Sequence, residues 1–309
     1  MKIVFMGTPE FAVASLDALI KAGMDVVAVV TAPDKPAGRG QQVSQSSVKQ
    51  YAVQNNLKVL QPEKLKNTDF LLELQKLQAD LQVVVAFRML PEVVWSMPPK
   101  GTINLHASLL PDYRGAAPIN WAIINGEHQT GVSTFFLKHE IDTGDIILTD
   151  KTSILETDTA GDVHDKLMKI GADLLVKTVQ VIADNNFKEV PQSELIQVEE
   201  TSPALKHAPK IFKDDCLVNW IQPVEKVYNF IRGLSPYPTA FTHLNDKIFK
   251  IYKAEKQITE TAISAGGFLT DHKTFLKFAC TDGFILVKEV QLEGKKRMNV
   301  EEFLRGVKL

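Results

Sequence analysis

The chain has 309 residues, of which 45% are hydrophobic and 23% are charged, a composition typical of globular proteins. This length is enough for a buried core and for two domains, and the composition excludes a disordered or fibrous protein. Cys216 and Cys280 are the only cysteines and show no CxxC or Cys/His spacing. We therefore expect a reducing compartment, no disulfide framework and no metal site.

The N-terminus reads MKIVFMGTPEF, in which a single Lys precedes a few apolar residues before Pro9. This pattern does not match a secretory signal peptide. The most apolar later runs, at 24–31 and 81–87, are far shorter than the roughly 20 residues that a membrane-spanning helix needs. The sequence therefore predicts a soluble, cytoplasmic protein that does not contact a membrane.

The formal net charge of −2 hides a difference between the two parts of the chain. Residues 206–309 contain 17 Lys and Arg against 12 Asp and Glu, a net +5, which leaves 18 against 25, a net −7, for residues 1–205. A basic C-terminal part favours an anionic partner such as a nucleic acid. Charge alone fits a solvated basic surface equally well.

Apolar, β-branched runs alternate with helical patterns over the first 150 residues, at KIVFMG, MDVVAVVT, LQVVVAF and GTINLH. This alternation predicts an α/β domain with a doubly wound, mostly parallel, Rossmann-like sheet. Val163, Leu167, Ile170 and Leu174 step by four, three and four residues, as on one face of a helix. We expect that long helix to close a first domain comprising residues 1–188.

A proline-containing stretch at 189–209, without sustained periodicity, is typical of a linker that passes along a surface. Residues 210–309 then contain one helical pattern near 223–232 and several short strand patterns separated by polar or glycine-containing turns. Short strands at close spacing predict a small sandwich or barrel. An OB-like β-barrel is an economical solution.

The first strand pattern ends in GTPEF, where a dinucleotide-binding fold would carry its glycine fingerprint. Only Gly7 is present, so G-x-G-x-x-G is absent and a nicotinamide cofactor is disfavoured. The loop TAPDKPAGRGQQ at 31–42 is long and places Lys35 and Arg39 beside glycines. Basic residues in such a loop are able to bind phosphates, although a plain surface loop fits the pattern as well.

The stretch GTINLHASLLPDYRGAAPINWAI at 101–123 holds the strongest chemical signal. Its apolar strand places Asn104 and His106 on one face with period two, close to the carboxyl end of the strand. An amide donor beside an imidazole suits acyl or formyl transfer, because the amide stabilises a developing oxyanion and the imidazole exchanges protons near neutral pH.

A second polar loop, IDTGD at 141–145, lies between two apolar runs. One interpretation is a tight turn, since Asp and Gly favour turns. The other is that Asp142, on a neighbouring loop, orients His106 or an ordered water. The pattern alone does not separate Asp142 from Asp145.

These residues resemble the folate-dependent formyltransferases, whose Asn-x-His, SLLPxYRG-like and DTGD patterns stand here as NLHASLLPDYRGAAP and IDTGD. Within that family the chain is similar, over nearly its whole length, to the members that act on methionyl-tRNA. GTPEFA, PDKPAGRG, HAPKIFKDDC and LSPYPTAF match in the same order. Several ordered matches are far more specific than a single motif.

The resemblance implies that the chain transfers the formyl group of 10-formyltetrahydrofolate to the α-amine of methionyl-initiator tRNA. It places Asn104, His106 and Asp142 on the catalytic trio, with Asn104 and His106 hydrogen-bonding the formyl oxygen. Asp142 would hold His106 and help to move protons. The folate pocket implied by the resemblance comprises Ser108, Leu109, Leu110, Pro111, Phe87 and Leu90, with backbone of the segments 87–90 and 138–142.

The resemblance also gives the 31–42 loop a role at the tRNA acceptor end, with Lys35 and Arg39 as contacts, and gives the basic OB-like domain the tRNA backbone. The chain departs from many relatives at Gln41 and Gln42, which replace Lys, and at Glu140, which replaces Gly. None of these departures falls on the catalytic trio.

Two other functions compete with this expectation. A folate-dependent formyltransferase acting on a nucleotide-linked amino sugar, or on glycinamide ribonucleotide, would share the trio, but it would need neither the long loop nor the basic domain. A non-enzymatic RNA-binding module would leave the coincidence of the trio unexplained. We expect a monomeric enzyme with no resident metal.

Overall fold

A computed structural model describes residues 1–37, 42–196 and 205–307. The chain forms two compact units. The first comprises Met1–Arg114, Gly131–Thr152 and Asp165–Lys206, and the second comprises Gly115–Thr130, Ser153–His164 and His207–Leu309.

The strands up to residue 153 are, in chain order, β1 (Lys2–Gly7), β2 (Asp25–Val30), β3 (Lys35–Ala37), β4 (Gln42–Ser44), β5 (Val59–Leu60), β6 (Leu81–Val85), β7 (Thr102–His106), β8 (Arg114–Gly115), β9 (Gln129–Phe136) and β10 (Ile146–Ser153). Seven of them form one sheet in the order β10-β9-β7-β6-β1-β2-β5. The pairs β1–β2, β1–β6, β2–β5 and β6–β7 are parallel, and β9 runs antiparallel to β7. The sheet is therefore mostly parallel, as predicted.

The helices up to residue 195 are α1 (Glu10–Lys21), α2 (Ser47–Gln54), α3 (Thr68–Lys76), α4 (Glu92–Trp95), α5 (Pro118–Ile124), α6 (Ala160–Ala183) and α7 (Gln192–Leu195). Side chains cap three of them: the Ser46 hydroxyl accepts the Lys49 N–H before α2, the Asn67 side chain accepts the Asp69 and Phe70 N–H groups before α3, and the Thr159 hydroxyl accepts the Asp162 N–H before α6. Such caps satisfy amides that have no partner within the helix.

The central strands β1 and β6 are buried on both faces of the sheet, which explains why they read as continuous apolar runs. Val4, Met6 and Val84 pack on one face with Phe70 and Leu74 of α3. Gly7 serves a close approach at the end of β1, because a Cβ there would lie 2.6 Å from the Ala12 Cβ.

The second unit continues with β11 (His207–Ala208), a 3₁₀ turn (Asp214–Cys216), α8 (Val224–Gly233), β12 (Ala240–Leu244), β13 (Lys247–Ile258), β14 (Phe268–Thr270), β15 (Leu276–Ala279), β16 (Gly283–Leu292), β17 (Met298–Asn299) and α9 (Val300–Gly306). Its strands follow the order β12-β13-β16-β15-β14, with β17 paired to β16, and the pairs are antiparallel. This arrangement is consistent with an OB-like domain and confirms the predicted fold class.

One aromatic cluster fills the second unit. Phe249 contacts Phe278 and Phe303 at ring-centroid distances of 6.1 and 5.1 Å.

The buried side chain of Arg232 on α8 donates to the Asp158 carbonyl at 3.0 Å and so ties the 155–158 turn to the unit. Burial raises the pKa of the Cys280 thiol to about 12, which makes it a poor nucleophile at neutral pH.

The structure adds β3, β4, α7 and α9, which sequence patterns did not predict. Strand β3 lies in the 31–42 loop and pairs antiparallel with β4, which begins at the end of that loop; the 189–209 segment contains α7, and the C-terminal region contains α9. No helix within the described ranges combines the length and apolar character needed to cross a bilayer.

Candidate active site

Strand β7 brings two polar side chains to the centre of the first unit. Asn104 pairs with Val84 on β6 and with Phe135 on β9, and His106 pairs with Ser133. Leu105 points to the opposite face, where its side chain approaches Gly171 of α6. Asn104 and His106 therefore share the face away from α6, as period two requires.

The His106 ring is held by the main chain of a following turn. It is 7% exposed, and its Nε2 lies 2.9 Å from the Tyr113 carbonyl oxygen. Because a carbonyl only accepts hydrogen bonds, Nε2 carries a proton in both the neutral and the cationic ring. Nδ1 is left as the ring nitrogen that gains or loses a proton.

Nδ1 of His106 faces the carboxylate of Asp142. The Nδ1 to Oδ2 distance is 3.9 Å, and both side chains are largely buried, with 8% and 13% of their surfaces exposed. The separation exceeds a direct hydrogen bond, yet it allows one further polar atom to contact both groups. The structure thus brings Asp142, rather than Asp145, to the imidazole.

Asp145 has a different partner. Its carboxylate pairs with the Lys138 ammonium at 2.6 Å, across the neck of the 138–145 loop. Asp142 itself adopts a φ of 55°, in the left-handed region that few non-glycine residues occupy. The loop is further confined at Gly144, where a Cβ would lie 1.6 Å from the Phe136 carbonyl oxygen.

The turn after β7 is held by its own polar groups. The Ser108 hydroxyl donates to the Asp112 carbonyl at 2.7 Å, and the Ser108 carbonyl accepts from the Ser133 hydroxyl at 2.8 Å. Leu110 is buried with Phe135 and Ile146, and the Leu110–Pro111 peptide bond is cis. Leu109 packs near Gly131. Ser108 is fully buried, so its hydroxyl is committed to the turn.

The turn after β6 carries the other predicted folate residues. Leu90 is buried and Phe87 half-buried in the cluster around Val84, whereas Met89 is 72% exposed. The Arg88 guanidinium packs 5.4 Å from the Phe87 ring and donates to the Glu63 carbonyl at 2.9 Å. Its Nε is buried without a hydrogen-bond partner within the described part of the chain.

The loop that follows β2 is anchored at its base. Lys35 is exposed and pairs with Ser44 in the β3–β4 hairpin. The Asp34 carboxylate accepts hydrogen bonds from Lys49 and Gln61, which lower the pKa of Asp34. Arg39, the other predicted tRNA contact, and Gln41 lie outside the described residues.

Sequence patterns missed one residue at this site. Gln192, in α7 of the predicted linker, is 3% exposed and hydrogen-bonds the carbonyls of Asp142 and Gly144. No periodicity marks a single Gln that follows a Pro, so the contact becomes visible only in the fold. Within residues 1–37, 42–196 and 205–307, no cluster of His, Cys, Asp or Glu is arranged to hold a metal ion.

Comparison with known proteins places this geometry in a family. Residues 1–179 match the family described as Formyl transferase, and residues 210–308 match the one described as Formyl transferase, C-terminal domain. The chain therefore belongs to the formyl transferase family, as its motifs predicted.

Two curated relatives span nearly the same length. A protein of Bacteroides fragilis named methionyl-tRNA formyltransferase is 52% identical over 314 residues, covering 100% of this chain and 96% of that one. A protein of Parabacteroides distasonis with the same name is 55% identical over 314 residues, again covering 100% and 96%.

A solved structure shares the fold at low identity. It is described as a sugar 3N-formyl transferase in the presence of dTDP and 5-N-formyl-THF, with a TM-score of 0.67, 23% identity and coverage of 96% of this chain and 99% of that one. At this identity the likeness concerns the fold alone.

The His106 hydrogen bond predicts which neutral tautomer is present. Because Nε2 donates to the Tyr113 carbonyl, ¹⁵N NMR of the neutral ring should show a protonated Nε2 and an unprotonated Nδ1. The His106 signals are assigned by their loss in His106→Gln. A protonated Nδ1 in the neutral ring would contradict the geometry described here.

Proposed function

We propose that the protein transfers the formyl group of 10-formyltetrahydrofolate to the α-amino group of methionyl-initiator tRNA, giving N-formylmethionyl-tRNA for translation initiation. The observation that carries this proposal is the His106–Asp142 pair at the end of β7, beside Asn104 on the same strand face. The names of the full-length relatives support the choice of substrate.

The reaction requires an acyl carbon to change partners. The amine nitrogen bonds to the formyl carbon, the bond from that carbon to the folate nitrogen breaks, the amine loses one proton and the folate nitrogen gains one. Negative charge gathers on the formyl oxygen as the carbon becomes tetrahedral. Hydrogen-bond donors aimed at that oxygen lower the barrier.

Asn104 and His106 are the donors that we assign to the formyl oxygen. The Asn104 amide supplies neutral N–H groups, and His106 supplies Nδ1–H when its ring is doubly protonated. Since the Tyr113 carbonyl occupies Nε2, only Nδ1 is free to serve. We assign to the Asp142 carboxylate, whose Oδ2 lies 3.9 Å from Nδ1, the roles of balancing the charge of that ring and receiving a proton from the amine.

The folate is a substrate, and the residues assigned to it fit a flat, partly apolar group. Met89 is 72% and Ile141 58% exposed, so apolar surface is available on the two segments that we assign to the pocket. The buried Arg88 Nε offers a polar donor in the same turn. We assign Phe87 and Leu90 to the wall of this pocket, together with Leu109, Leu110 and Pro111; the buried Ser108 supports the pocket by holding the turn that carries them.

Charge supports a tRNA substrate over a small one. Residues 206–309 carry a net charge of +5, and a nucleotide-linked amino sugar needs no such surface. We further propose that Lys35 and Arg39 contact the acceptor end of the tRNA. The hydrogen bonds from Lys49 and Gln61 to Asp34 anchor the base of the loop just before Lys35.

We retain three further sequence-based proposals. The functional division of the chain is a catalytic domain at 1–188, a linker at 189–209 and a tRNA-binding OB-like domain at 210–309. The protein acts as a monomer, and it works in the cytoplasm, where charged tRNA is found.

A formyl-transfer assay with labelled 10-formyltetrahydrofolate tests the proposed function. The acceptors are methionyl-initiator tRNA, the same tRNA uncharged, and a nucleotide-linked amino sugar. We expect label only on the charged tRNA. Label on the sugar would overturn the tRNA substrate, and tRNA binding without any transfer would favour a non-enzymatic RNA-binding module.

Removal of the donors should reduce that transfer. We expect kcat to fall about 10²–10⁴-fold in His106→Ala and about 10²–10³-fold in Asn104→Ala, with tRNA binding unchanged. Asn55→Ala, at an exposed position beyond α2, is the matched control and should retain full activity. Wild-type kcat in both site variants would remove these residues from the mechanism.

Arg39→Ala should separate binding from chemistry. We expect a several-fold higher KM for methionyl-tRNA, an unchanged kcat and a smaller salt dependence, because one phosphate contact is lost. Lys76→Ala, an exposed cation on α3, is the control. An unchanged KM at low salt would exclude Arg39 from the tRNA contact.

A further inference from the structure

Gln192 makes four hydrogen bonds with a single side-chain amide. Its Nε2 donates to the Asp142 and Gly144 carbonyls, both at 2.8 Å. Its Oε1 accepts from Nε and Nη2 of Arg114 at 3.0 and 2.6 Å. Two donor N–H groups and two acceptor lone pairs are all that an amide offers, so the group is fully used.

The orientation of this amide follows from its partners. A flipped Gln192 would set its oxygen against two carbonyls and its NH₂ against a guanidinium, which has no acceptor. With only 3% of the residue exposed, water does not compensate for such a mismatch. Arg114 therefore fixes the direction in which Gln192 donates.

The two carbonyls that Gln192 holds belong to Asp142 and Gly144, in the strained part of the 138–145 loop. Asp142 stands at a φ of 55°, a conformation that persists only where its surroundings hold it. Gly144 packs against the Phe136 carbonyl with no room for a Cβ. The amide clamps the main chain on both sides of Thr143 and so sets where the Asp142 carboxylate can reach.

Arg114 directly follows Tyr113, whose carbonyl accepts the His106 Nε2–H at 2.9 Å. Tyr113 thus holds His106 directly, and Arg114 holds the main chain of Asp142 through Gln192. The Tyr113 amide in turn donates to the Lys206 carbonyl at 2.6 Å, which anchors the turn.

We propose that Arg114 and Gln192 are positioning residues that fix Asp142 relative to His106 Nδ1 for formyl transfer. We assign neither Arg114 nor Gln192 a contact with a substrate, and both act through the main chain at Asp142. The inference rests on the proposed function, because it requires the His106–Asp142 pair to be catalytic.

Two variants of Gln192 separate positioning from space-filling. Gln192→Ala removes the amide, whereas Gln192→Glu keeps the volume and a carboxylate partner for Arg114 but loses both N–H donors. We expect kcat to fall about 10²-fold in both, with the KM for methionyl-tRNA unchanged. Arg114→Lys loses the paired Nε and Nη2 hydrogen bonds to Gln192 Oε1, so its kcat should lie between those of the wild type and Gln192→Ala.

A double-mutant cycle with Asp142→Asn shows whether the effect acts through Asp142. We expect Gln192→Ala to lower kcat by less than about threefold in the Asp142→Asn background, since positioning no longer matters there. Gln82→Ala is the matched control: Gln82 is 1% exposed in the same unit and contacts Thr102. Its effect should be equal in both backgrounds.

Hydrogen exchange supplies a readout that needs no substrate. Amides of residues 140–145 should exchange faster in Gln192→Ala than in the wild type, and those of β1 and β6 should not. Wild-type kcat in Gln192→Glu, or a full 10²-fold loss in the Asp142→Asn background, would overturn the proposal. If the wild type formylates no tRNA while the loop still loosens, the proposed function fails and the clamp on the loop remains.

Discussion

In the proposed reaction, the chemistry of the site depends on the hydrogen bond between His106 Nε2 and the Tyr113 carbonyl. This bond keeps Nε2 occupied by the main chain and leaves Nδ1 for proton exchange. Because the ring is also buried, no rotation brings Nε2 into use without breaking that bond. The roles proposed for Asp142 and Asn104 therefore depend on their positions relative to Nδ1.

Sheet topology supplies the second constraint. β7 is flanked by a parallel neighbour, β6, so the turn that follows β6 lies at the carboxyl end of β7. β9 runs antiparallel, with Phe136 opposite Ile103, so the loop that follows β9 starts near the amino end of β7 and reaches His106 through Asp142. Loops that belong to different parts of the chain thereby reach one point. Open α/β sheets place their binding sites beyond the carboxyl ends of their strands, and we propose that the turn at 86–90 and the loop at 138–145 bind the folate here.

The sequence predicted the sheet, the second β domain and the Asn104–His106 strand, since continuous apolar runs and period two follow directly from strand geometry. It did not separate Asp142 from Asp145, because both lie in one polar loop; in the fold Asp142 faces His106 Nδ1, whereas Asp145 pairs with Lys138. The resemblance to the family pointed to Asp142. The contact of Gln192 with Asp142 could not be predicted, because a contact between residues 50 positions apart in sequence leaves no local pattern.

In the proposed mechanism His106 and Asp142 act as one unit in formyl transfer, and a double-mutant cycle between them would show whether they do. Single-turnover rates would be compared for His106→Ala, Asp142→Asn and the double variant with methionyl-initiator tRNA. If the pair acts as a unit, the double variant should be about as slow as the slower single variant. Rate losses that multiply in full would show that the two residues act independently and would contradict this account.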